Sequence, residues 1–133
     1  MKRSRTYKLQ LSEEGIDLFL QCHWRLARMM REFIPYGVTL SVAVSVLEMQ
    51  EACEIAAELE APRCRQCVGP GIRFVGSTYG LVDACARIVE KLITAQEVPA
   101  APRMARLYVA ALGALTSADD QQIRQALLLL DRT

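Results

Sequence analysis

Residues 39–60 read Thr-Leu-Ser-Val-Ala-Val-Ser-Val-Leu-Glu-Met-Gln-Glu-Ala-Cys-Glu-Ile-Ala-Ala-Glu-Leu-Glu, and their reading decides the fold. The first half is β-branched, which is weak helix material, whereas the second half is built from strong helix formers. Val42, Val46, Met49, Cys53, Ala56 and Leu59 recur every three or four residues and give one apolar face. Thr39 or Ser41 supplies an N-cap. The stretch predicts one helix running to about Glu60, where Pro62 ends it.

Upstream, Ser12 is an N-cap, followed by Glu13 and Glu14 at the positive end of a helix. Ile16, Phe19, Leu20, His23, Trp24, Ala27, Met30 and Ile34 mark its apolar face. That predicts a helix of about 22 residues, ~33 Å long, stopped by Pro35 and Gly37. A short link makes the two helices antiparallel neighbours. Before Ser12, residues 1–11 form a basic arm with Lys2, Arg3, Arg5 and Lys8, in which Tyr7, Leu9 and Leu11 alternate as in a short strand.

Downstream, residues 61–79 read as an irregular connector, with Cys64, Cys67, Gly69, Pro70, Gly71 and Gly76, anchored by Ile72, Phe74 and Val75. A third helix runs from Ser77 or Thr78 to about Gln96, a fourth covers Met104 to Leu115, and a fifth follows Ser117. The expected fold is all-α: five helices in a compact bundle, one domain over 12–133, with one long Cys/Gly/Pro loop.

Composition narrows the function. The chain of 133 residues is 52 % hydrophobic and only 6 % aromatic, enough for a real core of small aliphatic side chains. With 16 basic and 15 acidic residues the net charge is +1, which excludes a histone-like or an acidic-tail protein. No apolar run reaches the roughly 18 residues of a membrane span, and none of signal-peptide length follows the N-terminus. The expectation is a soluble, cytoplasmic protein without a membrane partner. Five cysteines, an odd number, read as reduced thiols rather than a disulfide scaffold.

Charge is uneven along the chain. Residues 1–31 carry seven basic and three acidic side chains. Arg25, Arg28 and Arg31 sit three apart on one flank of the first helix and, with Lys2, Arg3, Arg5 and Lys8, can follow a nucleic-acid backbone. The structural reading is that Glu48 and Glu51 of the antiparallel second helix pair with Arg25 and Arg28, with little energetic consequence. Glu51, Glu54 and Glu58 could bind Mg²⁺, but a solvated helix face explains them equally well.

Cys64-Arg65-Gln66-Cys67 is a lone CxxC. It offers two thiolates where a structural zinc site takes four ligands, and Arg63 and Arg65 would lower the thiol pKa values. Cys53 and Cys85 read as small core residues. His23 and Trp24 read as a core-edge His beside a core Trp. No nucleophile elbow, zinc-protease motif or phosphate loop is present, so no catalytic residue and no cofactor is assigned.

Tyr7-Lys8-Leu9-Gln10-Leu11-Ser12-Glu13-Glu14, with Gly37-Val38-Thr39-Leu40-Ser41 after it, resembles the strand and helix starts of ribbon-helix-helix repressors, although the helix between them is longer than in that family. The long first helix, Thr39-Leu40, and then Ser77-Thr78 with Leu81-Val82-Asp83 resemble MarR-type winged-helix repressors, with an insertion before Ser77 and helix where the wing would begin. No site residue is carried over from either. The functional expectation is a non-enzymatic helical subunit on a nucleic-acid backbone: a DNA-binding regulator or a small subunit of a nucleoprotein complex. The alternatives are a protein-interaction module that forms a homodimer through the Leu127-Leu128-Leu129-Leu130 helix, and a CxxC metal or redox protein.

Overall fold

A computed structural model describes residues 5–77 and 80–131. Its elements in chain order are β1 (Arg5–Leu11), α1 (Glu13–Met30), α2 (Tyr36–Glu48), α3 (Ala52–Glu60), α4 (Pro62–Cys67), β2 (Gly71–Ser77), α5 (Leu81–Thr94), α6 (Met104–Ser117) and α7 (Asp120–Asp131). The chain is predominantly helical, as the apolar spacing predicts. It departs from five helices and a loop: the described residues form seven helices and a two-stranded sheet.

The centre is α2 packed on α6. Both are apolar around most of their circumference, which makes a helix a core element rather than a surface one. Burial thereby overrides the weak helix propensity of Val42, Val44 and Val46. Polar groups inside α2 are satisfied locally: Ser41 Oγ donates to Gly37 O at 2.9 Å and lies 2.9 Å from Ser77 Oγ. Around this pair, α1, α3, α4 and β1 pack on α6, and α5, α7 and β2 pack on α2.

The helix expected over residues 39–60 is two helices. Met49, Gln50 and Glu51 break it, and Glu51 N–H donates to Glu54 Oε1 at 3.0 Å to open α3. Lys91 of α5 closes α2 from outside, donating to Glu48 O at 2.6 Å and Gln50 O at 3.0 Å. These are carbonyls that a helix end leaves unsatisfied. The first helix is also shorter than expected. It ends at Met30, and Arg31 caps it in the left-handed region at φ 57. Pro35 and Gly37 therefore do not end α1; they start α2.

The expected arm and the expected connector are partners. From Arg5 onward the arm is β1, paired antiparallel with β2 in the register Tyr7↔Val75 and Leu9↔Arg73. Tyr7, Leu9 and Leu11 are buried. Of the expected connector, residues 62–67 are α4 and 71–77 are β2, and Thr78 and Tyr79 lie outside the described residues; Pro62 opens α4, where its missing N–H costs nothing. Ser12 N–H donates to Cys67 O at 2.9 Å, locking the start of α1 to the end of α4. Gly37 lets α2 touch β2, since a Cβ there would stand 1.5 Å from Gly76 O.

Candidate nucleic-acid interface

Strand alternation decides what the sheet shows to solvent. Tyr7, Leu9, Leu11 and Val75 face the core, so Thr6, Lys8 and Gln10 on β1, and Ile72, Phe74 and Gly76 on β2, share the opposite face. The register sets Lys8 opposite Phe74 and Gln10 opposite Ile72. Phe74 is 64 % exposed and Ile72 is exposed too, so these two do not anchor a loop to the core; of the expected anchors only Val75 does.

Three basic side chains belong to the ribbon. Arg5 lies 6.0 Å from the Tyr7 ring centroid, Lys8 is exposed, and Arg73 donates to the Ile72 carbonyl at 2.9 Å. Neither strand contains Asp or Glu. Among the described residues, none of the three cations has a carboxylate at ion-pair distance. At the Leu11 end of the ribbon, Gln10 leads into a groove of about 430 Å³ lined by Arg65, Gly69, Arg103 and Arg106. Arg106 is committed, its Nη2 donating to Leu59 O at 2.8 Å and Glu60 Oε1 at 2.7 Å. Arg103 is exposed at the N-cap of α6. Arg65 is exposed and only 3.8 Å from Glu60, a contact of little energetic weight.

The arginine stripe of α1 has three separate fates. Arg25 turns inward to the α6–α7 junction, donating to Leu115 O at 3.1 Å and Ala118 O at 2.8 Å and pairing with Asp120 at 3.0 Å. Arg28 stands 5.9 Å from the Trp24 ring, and Arg31 is exposed at the C-cap. The expected pairing with Glu48 and Glu51 is replaced: Glu48 pairs with Arg87 of α5, whose Nη2 lies 3.1 Å from Glu48 Oε1. Trp24 is not a core residue; it is 65 % exposed. Its neighbour His23 is half-buried, with Nδ1 2.7 Å from Thr39 Oγ1 and the ring 4.5 Å from that of Tyr36. Lys2 and Arg3 lie outside the described residues.

Four of the five cysteines are buried. Cys64 and Cys67 are buried, and burial pushes both thiols up, outweighing the lowering by Arg106 at Cys64 and by Arg63 at Cys67. That reverses the expected activation by Arg63 and Arg65. Cys64 Sγ donates to Arg106 O at 3.6 Å. Cys85 is buried and pushed up to about 12, whereas Cys53 is exposed rather than part of the core. No three His, Cys, Asp or Glu side chains among the described residues could hold a metal ion. No helix among them is long and apolar enough to cross a membrane.

Phe74, Arg73 and Arg103 are exposed residues of this candidate surface that sequence reasoning did not single out. The alternation of Ile72, Arg73 and Phe74 was the available signal, hidden by the glycines that made the segment read as loop. No protein-family model, no curated protein and no solved structure matches this chain.

Proposed function

We propose that this protein is a non-enzymatic binding subunit that holds a nucleic-acid backbone along its β-ribbon. The observation that carries the reading is the solvent face of the ribbon, where Lys8 stands opposite an exposed Phe74; Arg5 and Arg73 belong to the other side of the same two strands, and neither strand contains a carboxylate. Cations with no carboxylate at ion-pair distance among the described residues release counterions when they meet phosphates, which gives affinity without sequence preference. The exposed Phe74 ring beside Lys8 gives a base a stacking platform, as in single-strand binders. The groove with Arg65 and Arg103 continues the track beyond Gln10. Of the seven basic residues expected to make contact, Arg5 and Lys8 keep that role here, with Lys2 and Arg3 preceding them in the chain. Arg25 is engaged inside the fold, and Arg28 and Arg31 belong to a different surface.

The test is fluorescence anisotropy with labelled single- and double-stranded DNA and RNA over a salt series. Lys8→Glu weakens binding to all sequences and lowers the salt slope by about one. Phe74→Ala costs single strands about 1–3 kcal/mol and duplexes much less. No binding at low salt, or binding indifferent to salt, overturns the reading. A protein-interaction module is the second reading, favoured by Leu128 and Leu129, which are exposed on α7.

A further inference from the structure

The outward face of α1 carries a pattern that neither the core nor the ribbon uses. Glu14, Asp17, Gln21, Trp24 and Arg28 are all exposed and recur at alternating three- and four-residue spacing, with Arg31 at the C-cap continuing the series. That is the spacing of a helix–helix seam. Leu20, 48 % exposed, flanks it, and Phe33, fully exposed, lies beside its C-terminal end. Trp24, Ala27, Arg28, Arg31, Glu32 and Phe33 line a shallow groove of about 480 Å³ there, with two basic side chains against one acidic. Along the seam the N-terminal end is acidic, the middle apolar and amide, and the C-terminal end basic.

We infer that this face pairs with the same face of a second copy, the two α1 helices running antiparallel about a twofold axis between Cys22 and His23. A twofold interface must be self-complementary, and this one is. The axis sets Glu14 against Arg31 of the other copy, Asp17 against Arg28, and Gln21 against Trp24, each contact made twice. Leu20 of each copy falls beside Trp24 of the other. A parallel pairing would instead oppose Asp17 to Asp17 and Arg28 to Arg28, so charge selects the antiparallel arrangement. The composition fits an interface centre: Trp and Arg are the residues most often dominant there, and a full Trp side chain is otherwise left in water. The α1 seam does not include the ribbon residues Lys8 and Phe74, so this inference does not depend on nucleic-acid binding.

The chain carries its own reporter, because Trp24 is its one tryptophan. Sedimentation equilibrium of the full chain, with tryptophan emission read over the same range up to about 100 μM, is expected to show a dimer whose formation shifts the emission to the blue. Asp17→Arg and Arg28→Asp each oppose like charges across the axis and raise the dissociation constant about tenfold or more. Mixed in equal amounts, the two variants restore both charge pairs and form a heterodimer, although neither self-associates. A monomer with unshifted emission at the highest concentration overturns the inference. So does a dimer that both reversals leave intact, or a mixture that stays monomeric. Glu14→Arg with Arg31→Glu repeats the design if circular dichroism shows that a first-pair variant has lost its fold.

Discussion

The guanidinium of Arg25 lies 3.0 Å from the carboxylate of Asp120, tying the middle of α1 to the first turn of α7. The same side chain covers the carbonyls of Leu115 and Ala118, so one residue closes the junction between α6 and α7. A stripe of three arginines thus contains one structural clamp, Arg25, and two exposed residues, Arg28 over the Trp24 ring and Arg31 at the C-cap. Arg25→Ala removes the arginine donor from Ala118 O, while Leu115 O keeps the Ala118 N–H at 3.2 Å, and is expected to destabilise the fold by about 1–2 kcal/mol. Arg25→Lys does not restore the loss, because an ammonium cannot reproduce the planar fork. Arg28→Ala stays within about 0.5 kcal/mol under conditions where the chain is monomeric. Urea unfolding of the three variants checks the ranking.

The thiols separate by burial. Cys53 is exposed, while Cys22, Cys64, Cys67 and Cys85 are buried, and burial raises the pKa of each of these four. A disulfide reagent at neutral pH is expected to react rapidly with one thiol in the native protein and with all five after denaturation. Rapid native labelling of Cys64 or Cys67 would reopen the redox reading of the CxxC segment.

His23 makes stability depend on pH. Burial lowers its pKa in the fold below the ordinary value of 6.5. Between the lowered value and 6.5 the unfolded chain binds the extra proton, so stability rises with pH through this window. His23 therefore adds no penalty above 6.5 and increasingly destabilises the fold as pH falls below it. His23→Gln should flatten that part of the profile, read as melting temperature between pH 5 and pH 8.

Two backbone positions give opposite effects. Gln96 ends α5 at φ 57 without being glycine. Gln96→Gly relieves the left-handed strain at the cost of some unfolded-chain entropy, a net gain of roughly 0.5–1 kcal/mol. Gly37→Ala does the reverse: the new methyl would overlap the Gly76 carbonyl, forcing α2 off β2. A loss of about 3 kcal/mol or more is expected, with the melting curve as the readout.

Legibility followed the range of the interactions. Leu81, Cys85, Ile88 and Leu92 were spaced for a helix and are its buried row. Ser12 was a cap by its type and position, and its side chain does accept from Gly15 N–H at 3.1 Å. The break at Gln50 was not legible, because the apolar spacing runs through it and the residue that closes α2 is Lys91, far along the chain. The ribbon was half legible: Tyr7, Leu9 and Leu11 alternate, but Arg73 and Phe74 read as loop until β1 lies beside them.

The sequence by itself determined that this chain is predominantly helical, that Leu81, Cys85, Ile88 and Leu92 form one helix row, and that basic charge gathers in its first quarter. Those properties rest on local spacing, where a side chain's neighbours are three or four residues away. Only the tertiary structure decided which arginine is a clamp, which cysteines are sealed, and that Trp24 and Phe74 stand in water. Exposure is set by what packs on a residue, and Trp24 and Phe74 carry the same apolar signal whether or not anything does.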